Sequence, residues 1–359
     1  MQVDYLIIGQ GLCGTWLSYY LQKNNKTFVV IDKNEDNTPS KVSAGIINPV
    51  TGRRMVKVWM ADELWPFLKE AYKEIGEFLE TELISPKNII DFFPNVHHRQ
   101  VFLERVEERD MWLASFPEQN QFNPFFNYEL GCGEIRHCFT VNLASLLSGW
   151  RLHLKKTGQL IETEFDLKRL EIHGKSVSWS DNDGETISAE KIIFCDGLNS
   201  FYNPYFNQLP FAPNKGEALL VEIPGLPPHY IYKKAFVLAP LPEENLFWLG
   251  SNYQWSFPHA NPTKEFCQQA ENHLKSWLKL PYKIVDHKAA VRPATLERRP
   301  FVGLHPYQKQ IGILNGMGTK GCSLSPWFAK ELANNLCYDE PISPLADANR
   351  FQKILSLKN

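Results

Sequence analysis

The chain has 359 residues, 43% hydrophobic and 22% charged, with a formal net charge of −2. That length supplies ample core for one large or two medium domains. The near-neutral balance, without a basic block, argues against nucleic acid as a main partner, and no run of about 18 apolar residues suggests a membrane span.

Residues 3–8 (VDYLII) read as a buried parallel strand. Gly9-Gln10-Gly11-Leu12-Cys13-Gly14 follows, and TWLSYYLQKNN continues as a helix closed by Asn24 and Asn25. A second strand, TFVVID, ends in Asp32, with Lys33 next. This is a complete βαβ unit in which each glycine has a task. Gly9 makes the tight turn, Gly11 lets backbone approach a pyrophosphate, and Gly14 lets helix and strand pack closely. The helix N-terminus adds free N–H groups and a positive dipole end. Asp32 stands where a carboxylate grips ribose hydroxyls. The unit predicts a dinucleotide site, and an acid rather than an arginine at Asp32 disfavours NADP. The motif alone leaves FAD and NAD open.

Residues 39–54 (PSKVSAGIINPVTGRR) read as a loop rich in small residues, with Ala44 and Gly45 as cofactor-contact candidates. Residues 61–82 carry apolar side chains at helical spacing. Residues 99–105 (RQVFLER) alternate and predict a strand, and residues 106–116 predict a helix. A helix over 142–157 precedes Gly158 and a short strand, QLIETEF. Residues 167–187 alternate through two or three strands around an Asn182-Asp183-Gly184 turn. KIIFCD is another buried strand, ending at Gly197, so the second half of the nucleotide domain lies far from the first. GEALLVEI, FVLAPL and LFWLG predict an antiparallel sheet, and residues 263–279 a helix. IGIL then leads into the turn NGMGTKGCSLSP and a final helix from about Pro326 to Leu336. Ser325 is the expected N-cap and Pro326 the expected first helical residue.

Aromatic residues make up 13% of the chain, which suits either a large apolar pocket or an aromatic-rich core. The seven cysteines form no CxxC pair, and the N-terminus has no basic n-region or cleavage site. A reduced cytoplasmic protein is expected. The ten histidines show no ligand spacing, and no metal is expected.

The N-terminal glycine motif, the return strand KIIFCDG and the C-terminal RPATLERRPFVG…GILNGMGTKG occur in this order. Together they resemble the D-amino-acid oxidase family of FAD-dependent oxidoreductases, which includes glycine and sarcosine oxidases. GEIRHCFTVNLASLL, NKGEALLVEI and FVLAPLPEENLFWLG are similar to the family's middle segments, so the likeness spans nearly the whole chain. It implies an α/β fold: a Rossmann-like FAD-binding domain (1–50, 143–205 and 288–359) interleaved with an antiparallel-sheet α+β substrate domain (51–142 and 206–287).

The resemblance also implies roles. Cys195, Asp196 and Gly197 would line the cofactor, and the backbone of Phe165 would meet the adenine. Gly316, Met317, Gly318, Thr319, Lys320 and Gly321 would form the turn at the flavin ring, where N–H groups and a helix dipole stabilise negative charge. Lys320 would add a positive charge. Arg292 matches the arginine that holds an amino-acid carboxylate. The implied reaction removes hydride from a carbon bearing an amine, with O2 or another acceptor reoxidising the flavin. Ala289 and Ala290 stand where some relatives attach FAD through cysteine, so noncovalent FAD is expected. The stretch GTKG replaces an arginine-bearing turn of glycine-oxidase-like members, which disfavours glycine itself. Arg298 and Arg299 read as solvated. Tyr230, Tyr232, Tyr253, Arg53, Arg54 and Trp59 are weaker pocket candidates. The rival readings are an aromatic hydroxylase, which shares the Asp-Gly pair, an NAD-dependent dehydrogenase, and a flavin-binding module without turnover.

Overall fold

A computed structural model describes residues 1–52 and 54–355, so the candidate Arg53 lies outside the described residues. Its centre is a sheet built around β1 (Gln2–Ile8). Helix α1 (Leu12–Lys23) returns the chain to β2 (Phe28–Ile31), which pairs parallel with β1. On the other flank β1 pairs parallel with strand Thr186–Phe194, which pairs parallel with Ile311–Asn315. Leu160–Ile161 extends the sheet beyond β2, and Phe301–Leu304 extends it antiparallel beyond Ile311–Asn315. The early half of Thr186–Phe194 takes a different neighbour, the antiparallel strand Ser176–Ser180.

Register brings Ile8 level with Ile31 on one side and with Phe194 on the other, and Phe194 level with Ile313. The carboxyl ends of four strands thus share one edge. The chain leaves β1 there toward one neighbour and returns much later to the other. That crevice is where open parallel sheets bind ligands.

A second sheet of eight strands runs in the order Lys283–Arg292, Asn214–Glu222, Leu246–Gly250, Phe236–Pro240, Ile231–Lys234, Ile89–Phe92, Cys132–Ile135, Leu113–Ser115. All neighbours are antiparallel except Ile231–Lys234 with Ile89–Phe92. Strand Lys283–Arg292 belongs wholly to this sheet and runs across the expected junction at 287/288. Helix Lys264–Trp277 packs over an aromatic core containing Phe92, Phe122, Phe126, Tyr232 and Trp277. Trp16 and Trp150 are fully buried in the core that α1 shares, and Trp179 in the core on the other face of the first sheet. Much of the aromatic content is therefore core.

Three local expectations fail, each for a physical reason. Residues 99–105 are helical, inside Val96–Glu107. Asn95 caps that helix by accepting from the His98 amide at 2.8 Å, and Phe102 packs onto Gly133, where any side chain would collide with its ring. Of the expected helix at 106–116 only residues 106 and 107 are helical, as the end of Val96–Glu107; a turn with Arg109 at φ +58° and a strand Leu113–Ser115 follow. The last helix starts at Gly321, five residues before Pro326, and runs to Tyr338 with Lys320 at its N-cap. Pro326 sits inside it and has no N–H for the Cys322 carbonyl. The buried Tyr72 hydroxyl supplies that missing donor at 2.8 Å.

Candidate functional site

A continuous cavity of about 990 Å³ runs along the carboxyl edge of the first sheet and under the second. At one end it meets the first glycine turn. Gly9 has φ +96°, and a Cβ there would sit 2.7 Å from the Cys195 carbonyl oxygen. A Cβ on Gly14 would sit 1.8 Å from the Gly9 carbonyl oxygen. These two glycines let the turn, α1 and strand Thr186–Phe194 close on one another. Gly11 differs, since its Cβ position meets only the Ser40 side chain and faces the cavity. Helix α1 begins there with no capping side chain of its own, and Ser40 Oγ accepts from the Leu12 amide at 3.1 Å. A glycine covered only by the Ser40 side chain thus stands at a helix N-terminus, an arrangement that favours an anion.

Asp32 lies beside this turn. Its carboxylate accepts from the Gln10 and Asn34 amides, each at 2.8 Å, and from Arg151 Nη1 at 2.7 Å. Lys33, Thr163 and Phe165 continue the wall, with the Phe165 ring stacked on Trp179 at 5.6 Å. Asp196 lines the cavity between the two ends. It accepts from the Ser200 hydroxyl, which also accepts from Asn315 Nδ2 at 2.9 Å, while Asn315 Oδ1 takes the Gly316 amide at 2.8 Å. Burial raises the Asp196 carboxyl to about 7.

The far end carries the second glycine turn. Gly316 and Gly318 hold φ of +80° and +57°, and the backbone then enters the last helix. Met317, Gly318, Thr319, Lys320, Gly321 and Cys322 face the cavity. Burial, with Arg299 and Arg298 nearby, lowers the Lys320 ammonium to about 8. Across from this turn, Arg292 lies flat over Gly216, leaving no room for a Cβ. Its guanidinium donates to Asn214 Oδ1 and Ser251 Oγ, each at 2.7 Å, and rests 4.9 Å from the Tyr253 ring centre. Among the described residues no carboxylate pairs with it.

Of the site residues expected from sequence, Gly9, Gly11, Leu12, Cys13, Asp32, Lys33, Ala44 and Phe165 line this cavity. So do Cys195, Asp196, Gly197, Arg292, Met317, Gly318, Thr319, Lys320 and Gly321. Gly14, Gly45 and Gly316 stand just behind the wall; a Cβ on Gly45 would meet the Val141 carbonyl oxygen at 2.1 Å. The weaker candidates divide. Tyr253 is in the cavity, Tyr232 is core, and Tyr230 packs on Phe122. Arg54 is exposed and away from the wall. Trp59 is sandwiched between Arg299, at 4.2 Å, and Phe328, so Arg299 is half-buried rather than simply solvated. Sequence reasoning missed Ser40, Arg151, Gly216, Ser251 and Asn315, whose roles arise only from contacts between distant segments. A separate cavity of about 810 Å³, beside helix Ala61–Phe78, contains none of the predicted residues.

A family model described as "FAD dependent oxidoreductase" (DAO) matches residues 4–335. The chain belongs to this family. Similar solved folds include glycine oxidase from Geobacillus kaustophilus (TM-score 0.78, 15% identity, covering 96% of this chain and 98% of that one). L-proline dehydrogenase from P. horikoshii gives a TM-score of 0.76 at 15% identity, covering 98% of both chains. L-alpha-glycerophosphate oxidase from Mycoplasma pneumoniae, solved with FAD bound, gives 0.75 at 15% identity, covering 96% and 97%. As a DAO-family protein the chain uses FAD, and its cavity fits that cofactor. The residues present suit it: Gly11 at a helix N-terminus would admit a pyrophosphate, Asp32 beside it would meet a ribose, and the glycine-rich turn at the far end would meet the ring. Among the described residues no helix is long and apolar enough to cross a membrane.

Proposed function

We propose that this oxidoreductase acts on the carbon–nitrogen bond of an amino acid or a carboxylate-bearing amine. The observation that carries the reading is Arg292: a half-buried guanidinium in the cofactor cavity, held by neutral groups and without an acid partner among the described residues. Burial lowers its pKa, which marks a charge short of compensation. A planar fork of this kind takes a carboxylate through two parallel hydrogen bonds. Ser251 and Asn214 hold the fork in place, and Tyr253 covers one face.

Bound FAD would accept the hydride at N5 and pass electrons on, with O2 as the proposed acceptor and peroxide as its product. The protein's part is to fix the substrate carboxylate on Arg292 and exclude disordered poses. The Gly316 and Lys320 amides are spent inside the turn, on Asn315 Oδ1 and the Met317 carbonyl oxygen, so the amides of residues 317–319 and 321 and the Lys320 side chain would face developing negative charge. A substrate bound as the neutral amine would lose only a hydride, leaving an iminium cation that water hydrolyses to a carbonyl compound and an ammonium ion, so no protein base is needed. We propose noncovalent FAD, because Ala289 and Ala290 offer no nucleophile and burial pushes the Cys322 thiol up to about 12. The neighbours named above act on amino acids in two cases and on a glycerophosphate in the third, so the fold alone does not choose the substrate.

The test is anaerobic titration of the purified flavoprotein with amino acids, secondary amines and glycerol phosphate, following the flavin band near ~450 nm. Bleaching by a carboxylate-bearing amine, sharply weakened in Arg292→Met with FAD content intact, supports the reading. Bleaching only by glycerol phosphate overturns it. Bleaching only by NADH overturns it in favour of the hydroxylase.

A further inference from the structure

We propose that Arg151 is a positioning residue for the adenosine ribose of the cofactor, acting through Asp32. This rests on the reading of Asp32 as the acid that grips that ribose. Arg151 is 8% exposed and projects from helix Leu143–Lys156 to the carboxyl edge of the first sheet. Its guanidinium ties together the ends of three neighbouring segments, at Gln10, Asp32 and Glu162. Nη1 donates to Asp32 Oδ1 at 2.7 Å and to Gln10 Oε1 at 3.1 Å. Nη2 donates to the Asp32 carbonyl oxygen at 3.2 Å and to Glu162 Oε1 at 2.8 Å, and Nε reaches the same Glu162 oxygen at 3.2 Å.

The consequence for Asp32 can be counted. A carboxylate has about four acceptor sites. Arg151 and the Asn34 amide fill Oδ1, and the Gln10 amide takes one site on Oδ2. One oriented site on Oδ2 is left for a ligand hydroxyl. Without Arg151 the Asn34 and Gln10 amides still hold one site on each oxygen, but a second site opens on Oδ1 and a ligand hydroxyl can take either oxygen. Gln10 is fixed in the same way. Its Nε2 donates to Thr15 Oγ1 and the Leu147 carbonyl oxygen, and its Oε1 accepts from Arg151. Arg151 therefore orients the acid and one residue of the glycine turn together.

Charge gives a second reason. Without Arg151, Asp32 would lose its cation near the position expected for a pyrophosphate, and Glu162 would keep Lys155 alone. Arg151 lies between them, with Lys155 on the outer side of Glu162 at 2.6 Å. A lysine at 151 would neutralise one acid but could not span all three segments, because only a guanidinium presents a rigid fork of donors.

The experiment titrates FAD and FMN into flavin-stripped full-length protein and reads quenching of flavin fluorescence. It compares wild type, Asp32→Asn, Arg151→Met, Arg151→Lys and the Asp32→Asn/Arg151→Met double variant, with a urea midpoint for each. FMN lacks the adenosine ribose. Each single change should weaken FAD about tenfold or more, as expected for losing a charged hydrogen bond. The double variant should be little worse than the worse single, and FMN binding should stay within about twofold. If Asp32→Asn weakens FAD but Arg151→Met and Arg151→Lys do not, the inference fails while the ribose reading stands. Multiplying effects in the double variant, or equal loss of FMN, would also overturn it, since Arg151 would then be a general structural support. If Asp32→Asn leaves FAD unchanged, the ribose reading itself fails. Should Arg151→Met not fold, Arg151→Lys carries the comparison.

Discussion

Gly216→Ala tests the substrate anchor without touching it. Gly216 lies in strand Asn214–Glu222 opposite Ala290, and its φ is outside the left-handed region, so the strand accepts alanine. The added methyl carbon would sit 1.8 Å from Arg292 Nη2, 2.2 Å from Cζ and 2.5 Å from Nη1. Non-bonded carbon needs about 3.5 Å. The guanidinium must therefore move outward by roughly 1.5 Å, and its bonds to Asn214 and Ser251 break or stretch. Misplacing a positioning group by about 1 Å costs on the order of 10²-fold in rate, or about 2.7 kcal/mol of transition-state stabilisation. Stopped-flow measurement of anaerobic flavin reduction, over a range of the best amino acid, reads the loss. It should appear mainly as weaker amino-acid binding, with FAD content and urea midpoint unchanged. A variant within about threefold of wild type would refute the argument, since Arg292 would then not need its place above Gly216.

Tyr72→Phe leaves the Cys322 carbonyl, already deprived of its helical donor by Pro326, without a partner. The loss should be about 1–3 kcal/mol, measured by urea unfolding; an unchanged midpoint would show that the hydroxyl is dispensable. Asp196 gives a pH signature. Burial raises its carboxyl to about 7, above the ordinary value near ~3.9, so between these pH values the folded state holds the proton and the unfolded state releases it. Stability should fall across that window in flavin-free wild type, and the advantage of Asp196→Asn should grow until about pH 7 and then level. Parallel urea-midpoint curves from pH 4 to 8 would contradict this.

The first βαβ unit was readable because its constraints are local. Strand, glycine spacing, helix and acid all fall within the first 32 residues. The flavin-end turn was readable as composition, but its junction with the helix was not. A proline near a helix start normally marks the first turn, and only Tyr72, from another helix, makes an internal Pro326 tolerable. Residues 99–105 misled because seven residues are too few to separate a period of two from one of 3.6. The deciding contact, Phe102 on Gly133, is tertiary. Arg151 was illegible for the same reason. Nothing near it in sequence announces an acid just past β2, 119 residues away.

The central position of β1 also governs how the newly made chain can fold. One flank of β1 is satisfied by β2 within moments of synthesis, but the other waits for strand Thr186–Phe194, and that strand waits for Ile311–Asn315. At about 5–20 residues per second, the first of these waits lasts on the order of ten to thirty seconds on the ribosome. Throughout it an apolar strand edge stands open, so the nascent protein depends on shielding by chaperones or by its own helices. A chain terminated before residue 311 should accumulate as aggregate rather than as a smaller flavoprotein.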